Sequence, residues 1–165
     1  MSEQPKDAAG LSKQADTLMG AGRFNASLNL YDSALALDQR HVNSRINKGL
    51  TLWSLGRNGE ALECYDQALT LGPPNALAWM NKGNALSGLG RRDEALSCYD
   101  RALEIDSGLA RAWYNKGDEL GHLKRFIEAK ACFENARDLG LWEAQEMVEK
   151  CDYILMYEWV RLNKK

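Results

Sequence analysis

The chain repeats itself at an offset of 34 residues, and this periodicity limits the folds open to it more than any other feature. Asn47-Lys48-Gly49, Asn81-Lys82-Gly83 and Asn115-Lys116-Gly117 fall into register, and residues 42–75 share 15 identities in 34 positions with residues 76–109. Chance at average residue usage gives about two. The frame extends to four units, 8–41, 42–75, 76–109 and 110–143. A period of this length marks a linear array of supersecondary units, each unable to bury its apolar face alone.

Inside each unit two apolar patterns of helical period flank a punctuating residue: Gly22, Gly56, Gly90 and Lys124. The units therefore read as helix, turn, helix. Small residues recur at Ala15, Gly49, Gly83 and Gly117 in the first helix and at Ser27, Ala61, Ala95 and Ala129 in the second. They let two backbones approach closely, and Leu18, Leu52, Leu86 and Leu120 opposite Tyr31, Tyr65, Tyr99 and Phe133 fill the remaining space. Pro73 and Pro74 lie between units and Pro5 precedes the first, so no proline falls inside an expected helix.

Trp79-x-x-Lys82-Gly83-x-x-Leu86, followed by Ala95-x-x-x-Tyr99 and Ala102, resembles the tetratricopeptide repeat, and the likeness covers residues 8–143. The wording Ala-Trp-x-Asn-Lys-Gly, Leu-Gly-Arg, Glu-Ala-Leu and Tyr-Asp-Arg-Ala-Leu is similar to repeats common in archaeal and other prokaryotic proteins. Two departures touch the hairpin junctions and first helices. Lysine precedes the glycine in three units, and Gln39, Ser107 and Leu141 stand where proline usually ends a repeat. The resemblance implies an all-α fold, a right-handed α-α superhelix of helical hairpins.

The expected division is a flexible stretch at 1–7, four repeats over 8–143 and a capping helix over 144–165. In the cap Met147, Val148, Cys151, Ile154, Leu155, Trp159 and Leu162 share one helical stripe. Drawn over residues 142–163 that helix is about 33 Å long, against about 21 Å for a 14-residue first helix. Its distal end, with a second stripe of Tyr153, Met156, Tyr157 and Val160 beside Trp159, is expected to meet a partner or a second copy, most simply as a homodimer.

Twenty-one basic and 23 acidic residues nearly cancel, so the charge excess that drives nucleic-acid or membrane-surface binding is missing. The opening residues lack a signal-peptide core, and no run of about 18 apolar residues occurs. A cytoplasmic location is the expectation. Cys64, Cys98 and Cys132 share one repeat position, which would set them about 10 Å apart in a helix stack. A disulfide needs Cα atoms within about 7 Å, so free thiols acting as small packing residues are expected. No CxxC pair exists, and His41 and His122 lie in different units. No metal, no cofactor and no enzyme activity are therefore expected.

The remaining candidate is the concave face lined by the first helices, which the resemblance makes the ligand face for a protein or peptide partner. Its expected lining is Asn43, Ile46, Asn47, Leu50 and Trp53, then Leu77, Met80, Asn81 and Asn84, then Arg111, Tyr114, Asn115, Asp118 and His122. In the column Asn47, Asn81, Asn115 each amide offers a donor and an acceptor, the complement of one peptide unit. Steps of about 10 Å match about three residues of extended chain. Either these amides hold a peptide or they only solvate the helices. The parallel column Lys48, Lys82, Lys116 leaves two readings as well, stems laid over a neighbouring helix or attraction of an acidic peptide. Family members that clamp a chaperone's C-terminal carboxylate use lysine, asparagine and arginine at set positions. Here those positions hold Ser12, Asp16, Asn47, Leu77 and Asn81, of which only Asn47 agrees.

Overall fold

The computed structural model describes residues 7–163, without the side chains of Trp159 and Asn163. Among the described residues nine helices follow one another: α1 Ala8–Gly20, α2 Phe24–Leu37, α3 Val42–Ser54, α4 Asn58–Leu71, α5 Ala76–Gly88, α6 Arg92–Ile105, α7 Ala110–His122, α8 Phe126–Asp138 and α9 Ala144–Asn163. They pair as four hairpins, and each second helix also packs against the first helix of the next hairpin. Successive first helices α1, α3, α5 and α7 touch one another directly. They form the inner layer of an α-α solenoid, and the second helices form the outer one.

The hairpin turns follow from the punctuating residues. Gly22, Gly56 and Gly90 adopt φ of 72°, 74° and 74°, and Lys124 adopts 60°. This left-handed conformation closes a helix by letting the next amide reach back, as Arg57 N–H does to Leu52 O at 2.9 Å and Arg125 N–H to Leu120 O at 2.9 Å. Side chains start several first helices: Asp7 Oδ1 accepts from Gly10 N–H at 2.7 Å and Asn75 Oδ1 from Ala78 N–H at 2.9 Å. Three of the outer helices, α4, α6 and α8, open with matching ion pairs, Arg57–Glu60, Arg91–Glu94 and Arg125–Glu128, which are solvent-exposed and so contribute little to stability.

Within a hairpin Gly49 of α3, Gly83 of α5 and Gly117 of α7 lie against Tyr65, Tyr99 and Phe133. These rings, with Tyr31, are the largest fully buried side chains, and each contributes about 3 kcal/mol of apolar burial. Cys64, Cys98, Cys132 and Cys151 are all buried and unbridged. Burial pushes the Cys98 and Cys132 thiols up to about 11, so they are inert packing groups.

α9 lies on α8 and continues the repeat, since Ala144, Lys150, Cys151 and Ile154 stand 34 residues after Ala110, Lys116, Gly117 and Leu120. It stands at the position of the first helix of a fifth unit, and among the described residues it is the last helix. Its 20 residues make it about 30 Å long, starting two residues later than the apolar pattern placed it, because Trp142 sits in the preceding turn, 79% exposed. The 13 residues of α8 cover only its first two thirds. Ala144, Val148 and Cys151 are accordingly buried, but Leu162, expected on the capping stripe, is 71% exposed because it lies past the end of α8.

Candidate functional site

The first helices carry the predicted lining to one face. A groove of about 430 Å³ is bordered by Leu50, Trp53, Met80, Asn81, Asn84, Arg111, Tyr114, Asn115 and Asp118, all on the expected lining, and also by Ser87, Tyr99 and Glu119, which were not on it. Asn43, Asn47, Ile46 and Leu77 line a separate recess of about 350 Å³ beside Asp16 and His41. His122 faces a third, smaller hollow beneath α9 with Asp118 and Phe133.

The asparagine column is not uniformly open, as the sequence had suggested. All three side chains are half-buried, and two are tied to the preceding hairpin: Asn47 Nδ2 donates to Asp16 Oδ1 at 2.8 Å and Asn115 Nδ2 to Asn84 Oδ1 at 2.8 Å. The same two acceptors also receive a hydroxyl from behind, Tyr31 to Asp16 at 2.6 Å and Tyr99 to Asn84 at 2.9 Å. Position 16 of the first unit, repeated at 50, 84 and 118, is therefore an acceptor column gripped by tyrosine from one side and asparagine from the other.

The column breaks in the second unit, where Leu50 replaces the acceptor. Tyr65 Oη, fully buried, is left without a partner, and Asn81 loses the bond that Asn47 and Asn115 make. Burial pushes the Tyr65 hydroxyl well above the usual phenol range; for Tyr31 burial and then the Asp16 carboxylate do so.

The lysine column resolves to neither expected reading alone. Lys48, Lys82 and Lys116 bind Asp32, Asp66 and Asp100 of the preceding outer helix, each at 2.6 Å. Lys82 and Lys116 also lie over the Trp79 and Trp113 rings, 5.1 and 5.5 Å from their centroids. These ammonium groups join neighbouring hairpins, and their charge is spent before a ligand arrives.

One carboxylate at the groove is buried, and the 34-residue register did not single it out. Glu119 is 2% exposed and sits at the groove wall between Ser87, whose hydroxyl it accepts, and Arg92 Nη1 at 2.7 Å. The signal was available: the equivalent positions hold Thr17, Thr51 and Ala85, so a glutamate there breaks the repeat. Arg92 neutralises Glu119 in place. Asp118 is different. Among the described residues its nearest basic side chain is His122, with Nε2 3.5 Å away.

On α9, Tyr153, Met156 and Tyr157 are 66%, 58% and 62% exposed, Val160 is half-buried, and the Trp159 side chain lies outside the described ones. Among the described residues no three His, Cys, Asp or Glu side chains gather as metal ligands would. No helix among them is long and apolar enough to cross a membrane.

Solved structures of the same architecture include MamA, with a TM-score of 0.76 at 19% identity over 83% of this chain and 81% of that one. YrrB, described as "a TPR protein with an unusual peptide-binding site", scores 0.75 at 22% identity over 91% of this chain and 78% of that one. The first TPR of Spaghetti (RPAP3), bound to the HSP90 peptide SRMEEVD, scores 0.68 at 23% identity over 72% of this chain and 96% of that one. No curated protein matches the chain. Models of the tetratricopeptide repeat match residues 12–76, 46–110 and 110–138. With hairpins, turns and sequence models in agreement over most of its length, the chain belongs to the tetratricopeptide repeat family.

Proposed function

We propose that this protein is a non-enzymatic interaction scaffold that binds an extended peptide segment of a protein partner in the concave groove. The observation that carries the reading is Asn81. It alone of the three ladder amides has no side-chain hydrogen bond among the described residues, and it borders the groove beside the apolar surface of Leu50, Trp53 and Met80. An amide with donor and acceptor both free can pair with one peptide unit, and the apolar strip beside it can seat a side chain. YrrB and the RPAP3 repeat, peptide binders by their descriptions, lend support at the level of fold.

Asn81→Ala in the full chain should weaken capture of peptides from an immobilised array about tenfold, as loss of one to two neutral hydrogen bonds implies. Its melting temperature should stay within a degree or two, because no bond inside the chain is lost. Replacing Asn47 and Asn115 is a poorer test, since those amides also join hairpins. Undiminished capture by Asn81→Ala would remove the groove from consideration.

A second reading, self-association through α9, rests on the exposed Tyr153, Met156 and Tyr157 toward the end of a helix that α8 covers only in part. Three large apolar side chains on one helix end are costly to leave in water. Sedimentation of the full chain should then show a dimer, and Tyr153→Glu with Tyr157→Glu should give a folded monomer. A wild-type monomer at high micromolar concentration ends this reading.

A further inference from the structure

We infer that the groove selects peptides carrying a lysine or arginine, whose cationic head pairs with Asp118; this rests on the peptide-binding reading above. Asp118 occupies the acceptor column at its last position. In the first and third hairpins that position is saturated, Asp16 by Tyr31 and Asn47, Asn84 by Tyr99 and Asn115. In the fourth both donors are gone. Phe133 stands in place of the tyrosine and has no hydroxyl, and Glu149 stands in place of the asparagine, a carboxylate with no donor to offer that accepts from Gln145 Nε2 at 2.8 Å. An acceptor built to receive two donors is left with neither, on a side chain 49% exposed at the groove.

The surroundings are anionic as well. The Tyr114 hydroxyl, which shares the groove wall, is pushed up by burial and then by Asp118, Glu143 and Glu146 together, so three carboxylates act on one point. Of the basic groups nearby, Arg92 is held by Glu119 at 2.7 Å, Arg111 lies 3.9 Å from Glu143, His122 Nε2 lies 3.5 Å from Asp118 itself, and Lys150 lines the adjoining hollow with Asp118 and His122. The Lys48, Lys82 and Lys116 heads are bound on the outer helices. A lysine or arginine entering here would replace the missing donors of Asp118 with charge-assisted ones and could rest on the Tyr114 ring. An acidic segment would meet carboxylates of its own sign.

The spacing follows from the fold. Asn81 and Asp118 are separated by one repeat step, about 10 Å, and nearly one helical turn, about 5 Å. At about 3.3 Å per residue of extended chain, the basic residue belongs about three to four positions from the peptide unit that Asn81 holds.

The test uses labelled nonapeptides with a Ser/Gly background, one leucine at a fixed position, and lysine, glutamine or glutamate scanned through the positions after and before it. Binding to the full chain is read by fluorescence anisotropy at low salt. Lysine peptides should bind at least tenfold more tightly than their glutamate counterparts, best at the three-to-four-residue spacing. The preference should shrink as salt rises. It should collapse in Asp118→Asn, which keeps the shape of the side chain, and persist in Glu104→Gln, an exposed acid of the outer layer. Glutamate peptides binding equally well, or a lysine preference unchanged in Asp118→Asn, overturns the inference and leaves the groove intact as a peptide site. If no peptide of any charge binds, the peptide-binding reading falls and this one with it.

Discussion

Gly83→Val should cost the protein about 3 kcal/mol and lower its melting temperature by roughly 10 °C, as read by circular dichroism. A Cβ on Gly83 would stand 2.6 Å from Tyr99 Cε1, 2.9 Å from Cδ1 and 3.0 Å from Cζ. The ring cannot swing aside. It is 1% exposed, and its hydroxyl is anchored to Asn84 Oδ1 at 2.9 Å, so relief must come from separating α5 and α6. A valine adds two methyl groups to that conflict, against a total stability on the order of 5 to 15 kcal/mol. Because a solenoid unit is supported only by its neighbours, the loss should spread through the middle of the array. Gly121→Ala is the matched control: no atom lies within 4 Å of its Cβ, and the helix should gain about 0.5 kcal/mol. Equal melting temperatures for the two variants would mean that helix spacing is not set by the glycine column.

How far the sequence could be read depends on whether a feature repeats. Gly83 and Tyr99 recur in kind at every step, so the hairpins and their turns were legible from the 34-residue register. Partners that cross from one unit to the next were not. The Asn47 bond to Asp16 and the Asn115 bond to Asn84 appear only when adjacent first helices are laid side by side, and the column alone made all three amides look equivalent. The lysines are a second case, since their aspartate partners lie 16 residues back, across two helices. Departures from the repeat carried the remaining information. Leu50, Glu119 and Phe133 each break a column, and each marks a place where the groove differs from its neighbours. Leu162 was misplaced because a helical stripe tells which face is apolar and not where the covering helix ends.

The tyrosine column yields the last expectation, in which stability and function oppose each other. Tyr31→Phe should cost about 2 kcal/mol, because its hydroxyl donates to the charged Asp16 at 2.6 Å, and Tyr99→Phe about 1 kcal/mol, because its acceptor is a neutral amide. Tyr65→Phe should cost nothing or stabilise slightly, since it deletes a buried hydroxyl that has no partner, and Phe133 already fills the equivalent place in the fourth hairpin. Leu50→Asn should then supply the absent acceptor to Tyr65 and to Asn81 at once, offset by the apolar contact that leucine makes. In a double-mutant cycle with Tyr65→Phe the coupling should be about 1 kcal/mol. The gain carries a functional consequence, because an Asn81 amide bonded to residue 50 no longer has its donor free for a peptide. Leu50→Asn should therefore melt no lower than wild type while binding array peptides about tenfold more weakly. A variant that couples to Tyr65 but binds peptides as wild type does would show that the break in the column serves the fold and not the groove.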